Sequence, residues 1–197
     1  LASATASLSS QLHALSFGPK ALEDGLHALT PTKFEMKILQ AYVVEDVDAT
    51  TSNNVGKVSR IWVHEDCADP NNCKPADVSY FDLTDPTAAN AALNSQARSV
   101  DAGTYRYVRL DFCVGSSETP NVRFSYGGNE FEKTYGGCGV TSSALPSPVE
   151  LRDGSSVTIQ LSYDLTDGEI YYADSSSTCT TSAPCLGSID LVPSIVQ

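Results

Sequence analysis

The alternation of apolar and polar residues along most of this chain predicts an all-β protein, a single antiparallel β-sandwich with an N-terminal arm and one short helix. Three observations carry that expectation. Val108, Leu110 and Phe112 interleave with Tyr107, Arg109 and Asp111, the two-residue period of a strand with one buried face. Turn residues separate about nine segments of this kind, as in a sandwich. Six cysteines fall as sequence neighbours, Cys67/Cys73, Cys113/Cys138 and Cys179/Cys185, a pattern of disulfide staples rather than of metal ligands.

Residues 1–30 read as the arm and 31–197 as the sandwich domain. In the arm, Leu8, Leu12 and Leu15, then Leu22, Leu26 and Leu29, keep helical spacing, whereas Ala4, Ala6 and Leu8 also suit an extended segment. Gly18-Pro19 and Gly25 interrupt both patterns. Beyond it, Phe34, Met36 and Ile38 alternate with Glu35 and Lys37 and lead into the apolar run Ala41-Tyr-Val-Val44, which predicts one long strand over 33–45. Strands follow over 57–64 and 77–83. Asp85 before Pro86 and an Ala-rich stretch predicts a helix over 86–97, with Asp85 as N-cap and Pro86 in the first position. The clearest strand is 104–114. Segments 121–126 and 130–135 flank Gly127-Gly128-Asn129, a three-residue hairpin connection. Strands over 148–152, 156–165, 168–173 and 188–196 complete the chain.

Pairing each cysteine with its sequence neighbour closes two short loops and one longer one. The chain-entropy value is about 2.4 kcal/mol for each short loop and about 3.5 kcal/mol for Cys113–Cys138. Zinc is the rival use of His64, Cys67 and Cys73, but the five-residue gap between the cysteines exceeds the usual zinc spacing. Disulfides imply an oxidising compartment, so the protein is expected to be extracellular or at the cell surface. The opening Leu1-Ala2-Ser3, without Met, agrees with a processed, exported product. Against 24 acidic residues stand 12 Lys and Arg, a formal charge of −12 that repels nucleic acid and anionic lipid. The apolar stretches are too short and too polar for membrane insertion.

Catalytic signals are thin, and no enzyme is predicted. Of the three histidines, His13 and His27 lie in the arm, and no Gly-x-Ser-x-Gly elbow accompanies His64. Glu65 and Asp66 beside His64 fall on alternate sides of an extended chain, which gives no focused acid–base pair. No cofactor is expected beyond a structural calcium ion. Its candidate ligands are Asp46 and Asp48, which cluster with Glu45 after the first long strand, and Asp164, Asp167 and Glu169 around a turn. Asx-turn capping is the commoner use of such residues. Tyr105, Tyr107, Tyr126, Phe131, Tyr135, Tyr171 and Tyr172 supply the material for a face that binds glycan or protein, or for cross-strand pairing within the sheets.

Ser99-Val-Asp-Ala-Gly-Thr-Tyr-Arg-Tyr-Val-Arg-Leu110, Asp153-Gly154 with the strand ending at Leu165, and Thr30-Pro-Thr-Lys-Phe34 resemble strands of prealbumin-like (transthyretin-like) domains of bacterial envelopes. The resemblance covers about a third of the chain. It implies an extracytoplasmic sandwich of Ig-like, transthyretin-like or jelly-roll-like build and brings no catalytic residues. A looser resemblance is to extracellular filament subunits, in which a terminal strand of one subunit completes the sheet of the next. On this basis the expected function is a secreted structural subunit of a filament or surface assembly, with copies of itself as partner. The alternative is a monomeric extracytoplasmic domain that binds glycan or protein.

Overall fold

The computed structural model describes residues 3–12, 25–51, 53–94, 98–112, 119–134, 140–163, 165, 170–187 and 192–196. In chain order its elements are β1 (Ser3–Leu12), β2 (Leu26–Leu29), β3 (Lys33–Met36), β4 (Gln40–Val47) and β5 (Asn54–Val63). A single 3-10 turn (Pro75–Asp77) precedes β6 (Phe81–Asp82), α1 (Pro86–Asn94), β7 (Arg98–Asp101) and β8 (Gly103–Asp111). There follow β9 (Val122–Tyr126), β10 (Asn129–Lys133), β11 (Val140–Leu151), β12 (Ser156–Tyr163), β13 (Ile170–Ala173), β14 (Cys185–Leu186) and β15 (Val192–Val196). Among the described residues the protein is all-β apart from one short helix, as the alternation predicts.

Four sheets form, ordered β15-β12-β1-β7, β11-β8-β4-β5, β10-β9-β3-β6 and β14-β13-β2. The two larger faces share one apolar core, in which Trp62, Tyr105, Phe112 and Ile159 are fully buried. At the margins β11 lies against β15 and β5 against β7, so the edges of one sheet shelter those of the other. Phe34 and Phe124 bring the β10-β9-β3-β6 sheet into the same core. A smaller cluster of Leu39, Val63, Cys67, Cys73 and Val78 sits beneath the first disulfide.

Several expectations are corrected. The strand expected over 33–45 is broken at 37–39, and its halves join different sheets: β3 pairs with β9 and β6, β4 with β5 and β8. Ile38 and Leu39 are both buried there but belong to different apolar clusters, and this divided burial explains the break. The hairpin connection has two residues, since Tyr126 and Asn129 are already paired. Gly127 and Gly128 both take positive φ, 58° and 78°, as a tight primed turn requires. Only Phe81–Asp82 of the strand expected over 77–83 is strand. The helix expected over 86–97 forms over Pro86–Asn94, and residues 95–97 lie outside the described residues. The arm's helical spacing is not realised at 3–12 or 26–29, which are strands. Finally, among the described residues one ladder, β1 with β12, is parallel and the others are antiparallel.

Candidate functional site

The unusual element is β1. Its residues run Ser-Ala-Thr-Ala-Ser, and Ala4 and Ala6 are 2% and 0% exposed, small side chains fitted beneath a crowded layer. On one side β1 pairs in parallel with β12, from Thr5↔Ser156 to Leu12↔Tyr163. On the other it pairs antiparallel with β7, from Ser3↔Asp101 to Ala6↔Arg98. The flanks present buried Val157, Ile159, Leu161 and Tyr163 on β12 and Val100 on β7, all in the shared core. β1 therefore closes a gap inside a sheet. Without it the backbone groups of β12 and β7 that face it would lose their partners, and the core would lie open between them.

The helix α1 packs against β1 and covers the gap. Its start is fixed as the sequence predicts: Asp85 Oδ1 accepts hydrogen bonds from the N–H groups of Thr87 and Ala88, each at 3.1 Å. Tyr163, at the end of β12, donates its hydroxyl proton to the Leu83 carbonyl at 2.8 Å and ties the approach to the helix onto the same sheet.

The first group of predicted calcium ligands is turned toward its own backbone. Asp46 Oδ1 accepts from the Val47 N–H at 2.9 Å. Asp48 Oδ1 accepts from the Thr50 hydroxyl and N–H and from the Thr51 N–H. The Thr50 hydroxyl and these amides lower the Asp48 pKa to about 2, the mark of an Asx turn. Glu45 Oε2 accepts from the Lys57 N–H at 2.8 Å. Asp164, Asp167 and Glu169 lie outside the described residues. Among the described residues no group of three acidic, His or Cys side chains converges as a metal site would.

Cys67–Cys73 and Cys179–Cys185 are disulfides, with Cα atoms 5.3 and 5.1 Å apart, which removes the zinc alternative at His64. The Cys113–Cys138 pair lies outside the described residues. Two disulfides fit an oxidising compartment. Among the described residues no helix is long and apolar enough to cross a membrane. His64 is 4% exposed, its Nδ1 accepts from the Asp66 N–H at 3.1 Å, and burial pushes its pKa down.

Of the two uses expected for the aromatics, the contacts described at Phe131 and Tyr172 are cross-strand pairs. Tyr105 is fully buried, with its hydroxyl donated to the Asp101 carbonyl at 2.7 Å and 3.0 Å from Ser59 Oγ. Phe131 stacks on Phe124, and Tyr172 on His27. Tyr135 lies outside the described residues. The residues overlooked in the sequence are Tyr80 and Tyr42. Lys37 Nζ and Arg123 Cζ lie 4.7 and 4.6 Å from the Tyr80 ring centre, and Arg60 and Arg109 flank Tyr42 at 5.6 and 5.4 Å. Alternation in β3 offered the one available signal, the acidic Glu35 on a buried strand. Burial opposes its charge, yet Arg123 Nε at 2.7 Å and Lys33 Nζ at 2.8 Å hold its pKa below the usual range. Comparison with protein-family models, with curated proteins and with solved structures finds no match for this chain.

Proposed function

We propose that this protein is a secreted structural subunit of an extracellular filament or surface assembly, in which β1 of one copy fills the gap between β12 and β7 of the next. The observation that carries the proposal is the place of β1, the first strand in the sequence: it lies inside a sheet, parallel to a strand about 150 residues away, and is joined to β2 by residues 13–25. A parallel neighbour cannot be reached by a tight hairpin, so β1 owes its place to ladder bonds and side-chain fit rather than to the connection. Those bonds and contacts are the same whichever copy supplies the strand. Strand addition of this type joins main-chain hydrogen bonds to alternate side chains set in the gap. Repeated head to tail it yields an open fibre, because the contact is heterologous and does not close. The disulfides suit an extracellular setting, and the charge of −12 keeps copies soluble until the strand engages.

Deletion of residues 1–12 tests the proposal by negative-stain electron microscopy and size-exclusion chromatography. The full chain is expected to form filaments and the deleted chain none, and a peptide of residues 1–12 should raise the melting temperature of the deleted chain without restoring filaments. Filaments that survive the deletion would overturn it.

A further inference from the structure

Between β13 and β14 the chain makes a short loop closed by Cys179–Cys185. Seven of the eight residues 175–182 are Ser or Thr, the eighth is Cys179, and no charged residue occurs from Ser175 to Gly187. In a chain of formal charge −12, this exposed stretch meets water through hydroxyl groups alone. The loop is held at its root, where Asp174 Oδ1 lies 2.9 Å from His27 Nε2 and the Asp174 N–H donates to the Gly25 carbonyl at 2.9 Å. Within it the Ala173 N–H donates to the Cys179 carbonyl at 3.0 Å, and Thr180 and Ala183 exchange backbone hydrogen bonds of 3.1 Å.

This frame sorts the hydroxyls. Ser176 Oγ accepts from the N–H groups of Thr178 and Cys179 at 3.1 and 2.9 Å, and Thr180 Oγ1 accepts from that of Ala183 at 3.1 Å, so these two half-buried residues cap the turns. The Thr178 and Ser182 hydroxyls each share a hydrogen bond of 3.1 Å with one of them. Ser175, Ser177 and Thr181 are exposed, and among the described residues their hydroxyls have no partner. Turn formation thus explains four of the seven hydroxyls and leaves three unexplained. Dense, uncharged Ser and Thr beside a proline, here Pro184, is the composition of O-glycosylated segments. The chain has no Asn-x-Ser/Thr sequon, so hydroxyls are the acceptors it offers to glycosylation. Phosphorylation, the other common fate of a free hydroxyl, draws on the nucleoside triphosphates of the reducing cell interior, whereas two disulfides fit an oxidising compartment.

We propose that Ser175, Ser177 and Thr181 are O-glycosylation sites, each hydroxyl oxygen taking a sugar from an activated, phosphate-linked sugar donor. The bond from the anomeric carbon to the donor phosphate breaks, the bond from that carbon to the hydroxyl oxygen forms, and the hydroxyl proton passes through the transferase's base to the released phosphate. The site is independent of β1 and stands whether or not the protein polymerises.

The protein is purified from the cells that make it, its intact mass is measured, and its peptides are sequenced by electron-transfer fragmentation, which leaves sugars on their residues. Hexose or N-acetylhexosamine masses are expected on Ser175, Ser177 and Thr181, with Ser176 and Thr180 bare. The triple variant Ser175→Ala/Ser177→Ala/Thr181→Ala, made in the same cells, should lose those masses. Ser176→Ala should keep them while its melting temperature falls, because it removes the oxygen that caps two N–H groups. If the triple variant is not recovered, the site map of the unaltered protein alone decides. An unmodified loop peptide, phosphate in place of sugar, or sugars carried by Ser176 and Thr180 instead would overturn the proposal.

Discussion

Asp85 and His64 stand at opposite ends of what a residue's neighbours in sequence reveal. Asp85→Ala removes the acceptor for two N–H groups of α1 and should destabilise the protein by about 1 kcal/mol, read as a lowered midpoint in urea. The cap was legible because its chemistry is local: an Asx residue, then Pro, then a run of good helix formers. His64 was not, because its burial comes from Trp62 and Phe81, which pack around it only in the fold. Its pKa is lowered in the folded state, so the unfolded chain takes up the proton first as pH falls. The stability it contributes is complete above the ordinary histidine pKa of 6.5 and is lost as pH drops through that value toward the folded one. Melting temperature should therefore fall between pH 7 and pH 5, and a His64→Phe variant should lose that part of the pH dependence. An unchanged slope in the variant would assign the effect to other groups. The calcium candidates show the same contrast, since an acidic triplet after a strand reads alike as ligand set or Asx turn until the partners of Asp48 are seen.

At the scale of elements, period-two alternation located strands well where one face is buried throughout, as in β12, whose pattern runs buried and half-exposed in turn. It failed where the chain changes sheets. Residues 33–45 alternate almost without a break, yet Ile38 and Leu39 enter different apolar clusters and the strand divides. It also failed at β1, where Ala and Ser carry too little hydrophobic contrast and leucines at three- and four-residue spacings suggest a helix. The same small residues make β1 sensitive to added volume. Ala6→Leu should destabilise by roughly 1–3 kcal/mol through overpacking, with the urea midpoint lowered and the slope unchanged. The two described disulfides close loops outside the main core, although Cys67 and Cys73 cover the smaller cluster. Mild reduction should thus lower the melting temperature and speed proteolysis near 67–73 and 179–185 while the far-ultraviolet β signal persists. Collapse of that signal at the same reductant concentration would mean that the staples hold the sandwich itself together.

For the molecule as a whole, the class was legible and the assembly of its parts was not. Strand count and turn spacing convey an all-β chain, whereas sheet order depends on which distant edges meet, and nothing local in Ser156–Tyr163 announces a parallel neighbour at Ser3–Leu12. The strand exchange proposed above rests on that one pairing, with the first strand supplied by a second copy. Ser7 and Thr158 face each other in the β1–β12 register, and a cysteine at either position leaves the other strand unchanged. Chains carrying only Ser7→Cys are mixed with chains carrying only Thr158→Cys, assembled, oxidised and separated on a non-reducing gel. Strand exchange predicts covalent pairs that join one chain of each type. Assemblies that form in full yet yield only uncrosslinked chains, while a Ser7→Cys/Thr158→Cys double variant closes the bond within one chain, would contradict it.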